Sequence, residues 1–136
     1  MNKATFKALR EHAGISYAAL ADVLGVSERS AKRWEEPRYP DPPEDACRVV
    51  RDARERQLAM ADYALEMAEA AGTRTVRLNY YRTQTEFDAC GRDEGDFRQA
   101  NANARAAADA LETMGYEVEY FYPVDDGWAE TPPNPL

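Results

Sequence analysis

The first 38 residues consist of short segments in which apolar residues recur at helical spacing, separated by glycine and serine. In residues 3–13, Phe6, Leu9 and Ala13 lie three and four positions apart, so they share one face of a predicted helix. Gly14 follows at a position where helices commonly end in the left-handed conformation. The pattern therefore predicts a helix that buries one face and stops before Gly14.

A second helix is predicted over residues 17–24. Ser16 is a favourable N-cap residue, and Gly25 stands where the segment should end. Apolar residues in this helix and in the turn after it are expected to face the core. They are Leu20, Val23, Leu24 and Val26.

A third helix is predicted over residues 28–36, between the N-cap Ser27 and Pro37. Pro37 should end it, because proline has no N–H group to donate within a helix. Ala31 and Trp34 are three positions apart and are expected to face the core. The two predicted helices thus form a helix-turn-helix arrangement with one polar face exposed.

Polar side chains on the third helix form a candidate DNA-binding surface, because they lie opposite the apolar face. A helix with this layout fits the major groove, which is about 12 Å wide. Arg29 is in the first turn and can pair with guanine O6 and N7, whereas Lys32 and Arg33 can either do the same or hold phosphates. Glu28 can accept from cytosine N4 or merely favour the helix N-terminus, and we favour the second role. The serines are expected phosphate contacts, and the full predicted set is Ser16, Ser27, Glu28, Arg29, Ser30, Lys32, Arg33 and Arg38.

Residues 16–35 resemble the helix-turn-helix of Cro/C1-type regulators. The residues that carry the resemblance are Ser16, Ala21, Gly25, Val26, Ser27, Trp34 and Glu35. The resemblance, which extends over about residues 3–60, implies that Ala21 lets two helices cross closely and that Gly25 makes the turn. It also implies that the Trp-Glu pair closes the recognition helix. Two departures are Ala31, where the family more often has a β-branched residue, and the absence of the family's usual Leu-Gly-Val ending.

The layout of the whole chain is also similar to that of small phage and plasmid regulators, including anti-CRISPR-associated autorepressors. This resemblance implies a homodimer that binds an inverted repeat near its own promoter and blocks RNA polymerase. The alternative interpretation of residues 16–35 is a generic helical hairpin whose charged face contacts solvent and not DNA.

Charge is distributed unevenly along the chain, whose formal net charge is −8. Residues 1–56 hold 11 Lys and Arg against 10 Asp and Glu, whereas residues 57–136 hold 6 against 15. At physiological ionic strength the Debye length is about 8 Å, so a distant acidic domain weakens a local basic face only slightly. The acidic total therefore does not exclude DNA binding.

The second half of the chain changes from helical to mixed patterns. Residues 44–71 favour helix, and two adjacent apolar stripes leave open whether they form one helix or two broken near Arg56. Alternating apolar residues predict strands at 73–82 and 116–123, with two helices between them. An isolated pair of strands is marginally stable, so we expect the strands of a second copy to complete the sheet. The predicted dimer contacts are Leu65, Val76, Leu78, Tyr80, Val118, Tyr120 and Tyr122.

These patterns predict a mainly α fold with a small α/β C-terminal part. The predicted regions are a helix-turn-helix domain at 1–57, a helical connector at 58–72, an α/β dimerisation domain at 73–124 and a flexible tail at 125–136. The predicted function is that of a sequence-specific, homodimeric repressor on a palindromic site in double-stranded DNA. The alternative is an antitoxin whose acidic C-terminal domain binds a partner protein.

The sequence offers no recognisable catalytic or metal-binding set. His12 is the only histidine, and neither Cys47 nor Cys90 has a histidine beside it, so we expect no nucleophile and no zinc site. No apolar run is long enough to span a bilayer, and the N-terminus lacks the apolar region of a signal peptide. We therefore expect a cytoplasmic protein that is not an enzyme and needs no cofactor.

Overall fold

The computed structural model describes residues 1–90 and 95–125. Within these residues the elements, in chain order, are α1 (Lys3–His12), α2 (Tyr17–Leu24), α3 (Glu28–Arg33), α4 (Glu44–Ala71), β1 (Thr75–Asn79), α5 (Gln84–Cys90), α6 (Phe97–Thr113) and β2 (Glu117–Phe121). The predicted mainly α fold with a small α/β C-terminal part is confirmed. Apart from Asp125, the predicted flexible tail lies outside the described residues.

Contacts along the chain divide it into two units, Met1–Arg56 and Gln57–Leu136. In the first unit the predicted caps fix where the short helices begin. Ser16 and Ser27 each accept a hydrogen bond at 3.1 Å from the backbone N–H group three residues later. Gly25 adopts the left-handed conformation, with φ of 66°, and ends α2. Local sequence therefore sets the helix-turn-helix geometry.

The core of the first unit is built on fully buried side chains from all four helices, Phe6, Leu20, Ala31 and Val50. The prediction that Val23 and Val26 face this core is wrong, since they are 66% and 38% exposed. At about 100° per residue, Val23 lies about 110° from the centre of the face that Leu20 and Ala21 bury. Val26 follows the turn and contributes its N–H group, which donates to the Ala21 carbonyl at 3.0 Å.

The third helix is shorter than predicted, because α3 ends at Arg33 and not at Glu36. The N–H groups of Glu35 and Glu36 donate to carbonyls only three residues back, at 3.1 Å each. Pro37 lacks an N–H group, and its ring disfavours the helical conformation at the residue before it. The chain therefore leaves the helix through tight turns before it reaches Pro37.

The segment at 44–71 is a single helix, α4, which answers the question that its sequence left open. Its buried residues recur at spacings of one, three and four and form one stripe: Ala46, Cys47, Val50, Ala53, Gln57, Ala61, Ala64 and Ala68. Leu58 and Met67, from the two predicted stripes, are exposed. Within the described residues, only one stripe of α4 is therefore covered. No helix among the described residues has the length and apolar character needed to cross a membrane.

The second unit contains a two-stranded parallel sheet, with Val76 of β1 opposite Val118 of β2. Its main core joins Leu78 and Leu111 to small side chains of α4 and α6, which lets the helices approach closely. Beside it, the buried amide of Asn101 bonds both backbone groups of Tyr81, accepting at 2.9 Å and donating at 2.8 Å. These contacts hold the segment after β1 against α6.

Candidate nucleic-acid interface

α3 rests on the first unit through an apolar face and exposes a charged one. Ala31 is fully buried, and the Trp34 ring meets the Phe6 ring edge to face, with centroids 6.5 Å apart. On the opposite face Glu28, Arg29 and Lys32 are exposed. The structure therefore gives α3 the apolar back and polar front that a recognition helix requires.

Arg29 differs from the other cations of this surface, which have ring or ion-pair partners within the molecule. Across residues 1–90 and 95–125, no side chain forms a hydrogen bond, ion pair or ring contact with it. It lies in the first turn of α3, where side chains of a recognition helix reach base edges. Its five N–H donors can therefore turn towards an external acceptor such as guanine.

The remaining predicted cations are associated with tyrosine rings. Lys32 Nζ lies 5.7 Å from the ring centroid of Tyr17, and Arg33 Cζ lies 5.0 Å from that of Tyr39. Arg38 Cζ lies 5.1 Å from the same Tyr39 centroid, and Arg38 also forms an ion pair with Glu36 at 3.6 Å. The rings restrict side chains that would otherwise be free in solvent.

The predicted phosphate-binding serines have structural partners of their own. Ser16 and Ser27 are N-caps, and the hydroxyl of Ser27 also donates to that of Ser30 at 3.0 Å. Ser27 is exposed, whereas Ser16 and Ser30 are half-buried. Capping thus gives these residues a role in α2 and α3 whether or not DNA is bound.

A buried ion pair beneath α3 was missed by the sequence analysis. Arg10 Nε donates to Glu35 Oε2 at 2.6 Å, and its Nη2 donates to Oε1 at 3.1 Å. The two side chains are only 9% and 6% exposed. Tyr17 Oη donates to Glu35 Oε1 at 2.9 Å, and Arg10 Nη1 donates to the Ile15 carbonyl at 2.9 Å. The network ties α1, the start of α2 and the turn after α3 together.

The surroundings of this network raise the pKa values of both Tyr17 and Arg10, so each group keeps its proton more tightly. Burial raises the pKa of Tyr17, and its hydrogen bond to Glu35 raises it further. Burial by itself lowers the pKa of Arg10, but the bond and charge of Glu35 outweigh it and hold the pKa above its ordinary value. The pattern of α1 contained a signal, because position 10 lies four residues after buried Phe6 and so falls on the apolar face.

The residues predicted for dimerisation fall into three groups according to their burial in this chain. Leu78 is 1% exposed and belongs to the core of its own chain, so it is not available as an intersubunit contact. The residues that pack partly buried against the same core are Leu65, Val76, Tyr80 and Val118. Tyr120 and Tyr122 are exposed, and their rings lie 5.3 and 6.5 Å from that of Tyr80.

Comparison with known proteins identifies the first unit. Residues 4–63 match the family model of a helix-turn-helix domain. No curated protein matches the chain. The match supports a helix-turn-helix DNA-binding domain in the N-terminal part of the chain.

Proposed function

We propose that this protein is a sequence-specific transcriptional repressor that acts as a homodimer in the cytoplasm. It binds an inverted repeat, with α3 of each subunit in the major groove, and blocks transcription from the promoter that contains this site. The observation that carries the proposal is the exposed face of α3, where Arg29 and Lys32 stand opposite the buried Ala31. We assign the protein no catalytic activity, cofactor or metal.

Dimerisation is proposed through the second unit. Among the described residues, each strand of the sheet has one neighbour, which leaves the other edge of each strand available. Large apolar side chains of this unit are also exposed, namely Leu58, Tyr63, Met67, Met114, Tyr120, Tyr122 and Val124. A second copy that covered these groups would bury apolar surface and complete the sheet. The inverted repeat proposed for such a dimer would have half-sites about 34 Å apart, one turn of B-DNA.

The dimer can be tested independently of DNA. Size-exclusion chromatography with light scattering should give twice the chain mass of 15.3 kDa. Tyr120→Lys places a charge among the exposed apolar residues and should shift the mass towards that of the monomer, whereas Tyr120→Phe, which keeps the ring at the same position, should not. A wild-type protein that remains monomeric at concentrations well above those of the DNA-binding assay would contradict the proposal.

DNA recognition is tested by fluorescence anisotropy with the duplex upstream of the protein's own gene and with a scrambled duplex, from about 50 to 200 mM salt, where phosphate-driven binding falls steeply. Wild type should prefer the upstream duplex. Arg29→Ala should cost about 1–3 kcal/mol on the upstream duplex and little on the scrambled one, because a base contact carries specificity. Arg48→Ala, which removes the same charge from an exposed position of α4, is the matched control. If Arg29→Ala binds both duplexes as wild type does, Arg29 is not a base reader.

The acidity of residues 57–136, with 15 carboxylates against 6 cations, favours a second candidate. In that case the second unit of an antitoxin neutralises a basic partner protein while the first unit still binds DNA. A toxic neighbouring gene whose product co-purifies with this chain would support the second candidate. Binding to the upstream duplex does not separate the two, so the co-purification decides between them.

A further inference from the structure

The turn after α3 places one aromatic ring between two arginines. Tyr39 follows Pro37 and precedes Pro40, and its N–H group donates to the Glu36 carbonyl at 3.2 Å. Arg33 and Arg38 have their guanidinium carbons 5.0 and 5.1 Å from the centroid of its ring. The prolines restrict the backbone on both sides of the ring. The segment is therefore a stiff turn that presents two stacked cations.

The ring of Tyr39 is not explained by core packing. It is half-buried, and it does not belong to the apolar core of the first unit. Within the described part of the chain, the Tyr39 ring contacts the guanidinium groups of the two arginines. Stacking on an aromatic face restricts the guanidinium while its N–H edge stays available to an acceptor. The contacts thus indicate a role in placing Arg33 and Arg38.

Two cations that share one ring repel each other unless an anion is near. Because each lies within about 5 Å of the same centroid, their separation is at most about 10 Å. Glu36 approaches Arg38 at 3.6 Å, but no carboxylate in residues 1–90 and 95–125 forms an ion pair with Arg33. The arrangement therefore has excess positive charge that an external anion would balance.

We propose that Tyr39 is a positioning residue that holds Arg33 and Arg38 as a preformed clamp for a DNA backbone phosphate. This inference rests on the proposed DNA-binding function and assigns the cations different tasks. Arg29, at the start of α3, reads bases. Arg33, at the end of α3, and Arg38, beyond it, hold the backbone, since recognition helices contact base edges mainly through their N-terminal residues.

The test compares Tyr39→Leu, which removes the ring face, with Tyr39→Phe, which keeps it, in the full-length protein. Anisotropy is measured on the upstream and scrambled duplexes over about 50 to 200 mM salt. Tyr39→Leu should weaken both complexes by about 10-fold, because two long side chains must then be ordered on binding. Tyr39→Phe should bind within about 2-fold of wild type. Equal melting temperatures of the two variants exclude loss of fold.

A double-variant background separates positioning from a structural role. Arg33→Ala/Arg38→Ala should reduce the slope of log affinity against log salt by about 2, and Tyr39→Leu should have no further effect there. The clamp is overturned if Tyr39→Leu costs as much in that background, binds as wild type does, or weakens the upstream complex alone. A wild type that does not distinguish the two duplexes would refute sequence-specific regulation. The clamp would still be testable then, because phosphate contacts act on any duplex.

Discussion

The buried pair formed by Arg10 and Glu35 allows the sharpest prediction about stability. Glu35 accepts two hydrogen bonds from Arg10 and one from Tyr17, and its side chain is 6% exposed. Glu35→Ala removes all three bonds and leaves the guanidinium without a counter-charge. One of its bonds remains, because Arg10 Nη1 still donates to the Ile15 carbonyl. The change therefore leaves a buried cation without its ion-pair partner, which costs more than the loss of the contact alone.

The magnitude follows from the burial of both partners. Removing one member of a buried ion pair costs about 3–5 kcal/mol, most of it the penalty for the unpaired charge. We expect Glu35→Ala to lower the free energy of unfolding of the first unit by this amount. Glu35→Gln keeps the shape and some hydrogen bonds but not the charge, so it should cost less, about 2 kcal/mol. The double change Arg10→Met/Glu35→Leu should cost less than Glu35→Ala, because neither charge is then buried.

Urea unfolding followed by tryptophan fluorescence measures these differences. The chain has two tryptophans, Trp34 and Trp128, so a Trp128→Phe background leaves a single reporter in the first unit. Trp34 packs on Phe6 in the same core and should report the loss of that packing. A loss below about 1 kcal/mol for Glu35→Ala, at unchanged m-value, would refute the buried-pair reasoning. The reasoning would also be refuted if the costs of Arg10→Met and Glu35→Leu, measured separately, added up to the cost of the double change.

Two further changes test the turn and the network. Gly25 has φ of 66° and open space around its missing Cβ, so Gly25→Ala should cost about 1 kcal/mol from backbone strain alone. Gly25→Asn should recover part of that loss in the same urea assay, and a neutral Gly25→Ala would contradict the strain. The raised pKa of Tyr17 means that the folded state holds its proton more tightly than the unfolded state. The free energy of unfolding of the wild type should therefore fall as pH rises above about 10, and that of Tyr17→Phe should fall less over the same range. Identical pH profiles of the two proteins would show that Tyr17 does not cause the loss.

Sequence reasoning succeeded where structure depends on neighbouring residues. The starts of α2 and α3 and the turn between them follow from Ser16, Ser27 and Gly25, whose caps and backbone conformation are local properties. The mainly α fold followed from the same signals together with helical spacing. The early end of α3 also depends on neighbouring residues. The spacing of apolar residues did not predict it, because over three residues a tight turn and a turn of α-helix show the same apolar pattern.

Tertiary partners decided what the sequence could not. Glu35 is buried because Arg10 lies opposite it, and the two are 25 positions apart. Val23 has the apolar character of a core residue, yet the face of α2 that becomes buried depends on where the neighbouring helices pack. The stacking of Arg33 on Tyr39 has no periodic signal, because one residue ends a helix and the other lies in an irregular turn. Such features require the pattern to be combined with the positions of other elements.

The acidic character of the chain is compatible with DNA binding because its excess of carboxylates lies in residues 57–136, with 15 carboxylates against 6 cations, and not in the first unit. In the first unit, carboxylates that form ion pairs include those of Glu35, Glu36, Asp41 and Glu44. A close ion pair has little net field at a distance, so these groups oppose a phosphate only weakly. At α3, Arg29 and Lys32 are exposed without a carboxylate partner among the described residues. The field that a phosphate meets there is set by these two cations and the exposed Glu28 on the same face, a local balance of +1, since charges beyond about 8 Å are largely screened. The distribution of unpaired charge on α3, and not the sign of the whole chain, is therefore what predicts binding.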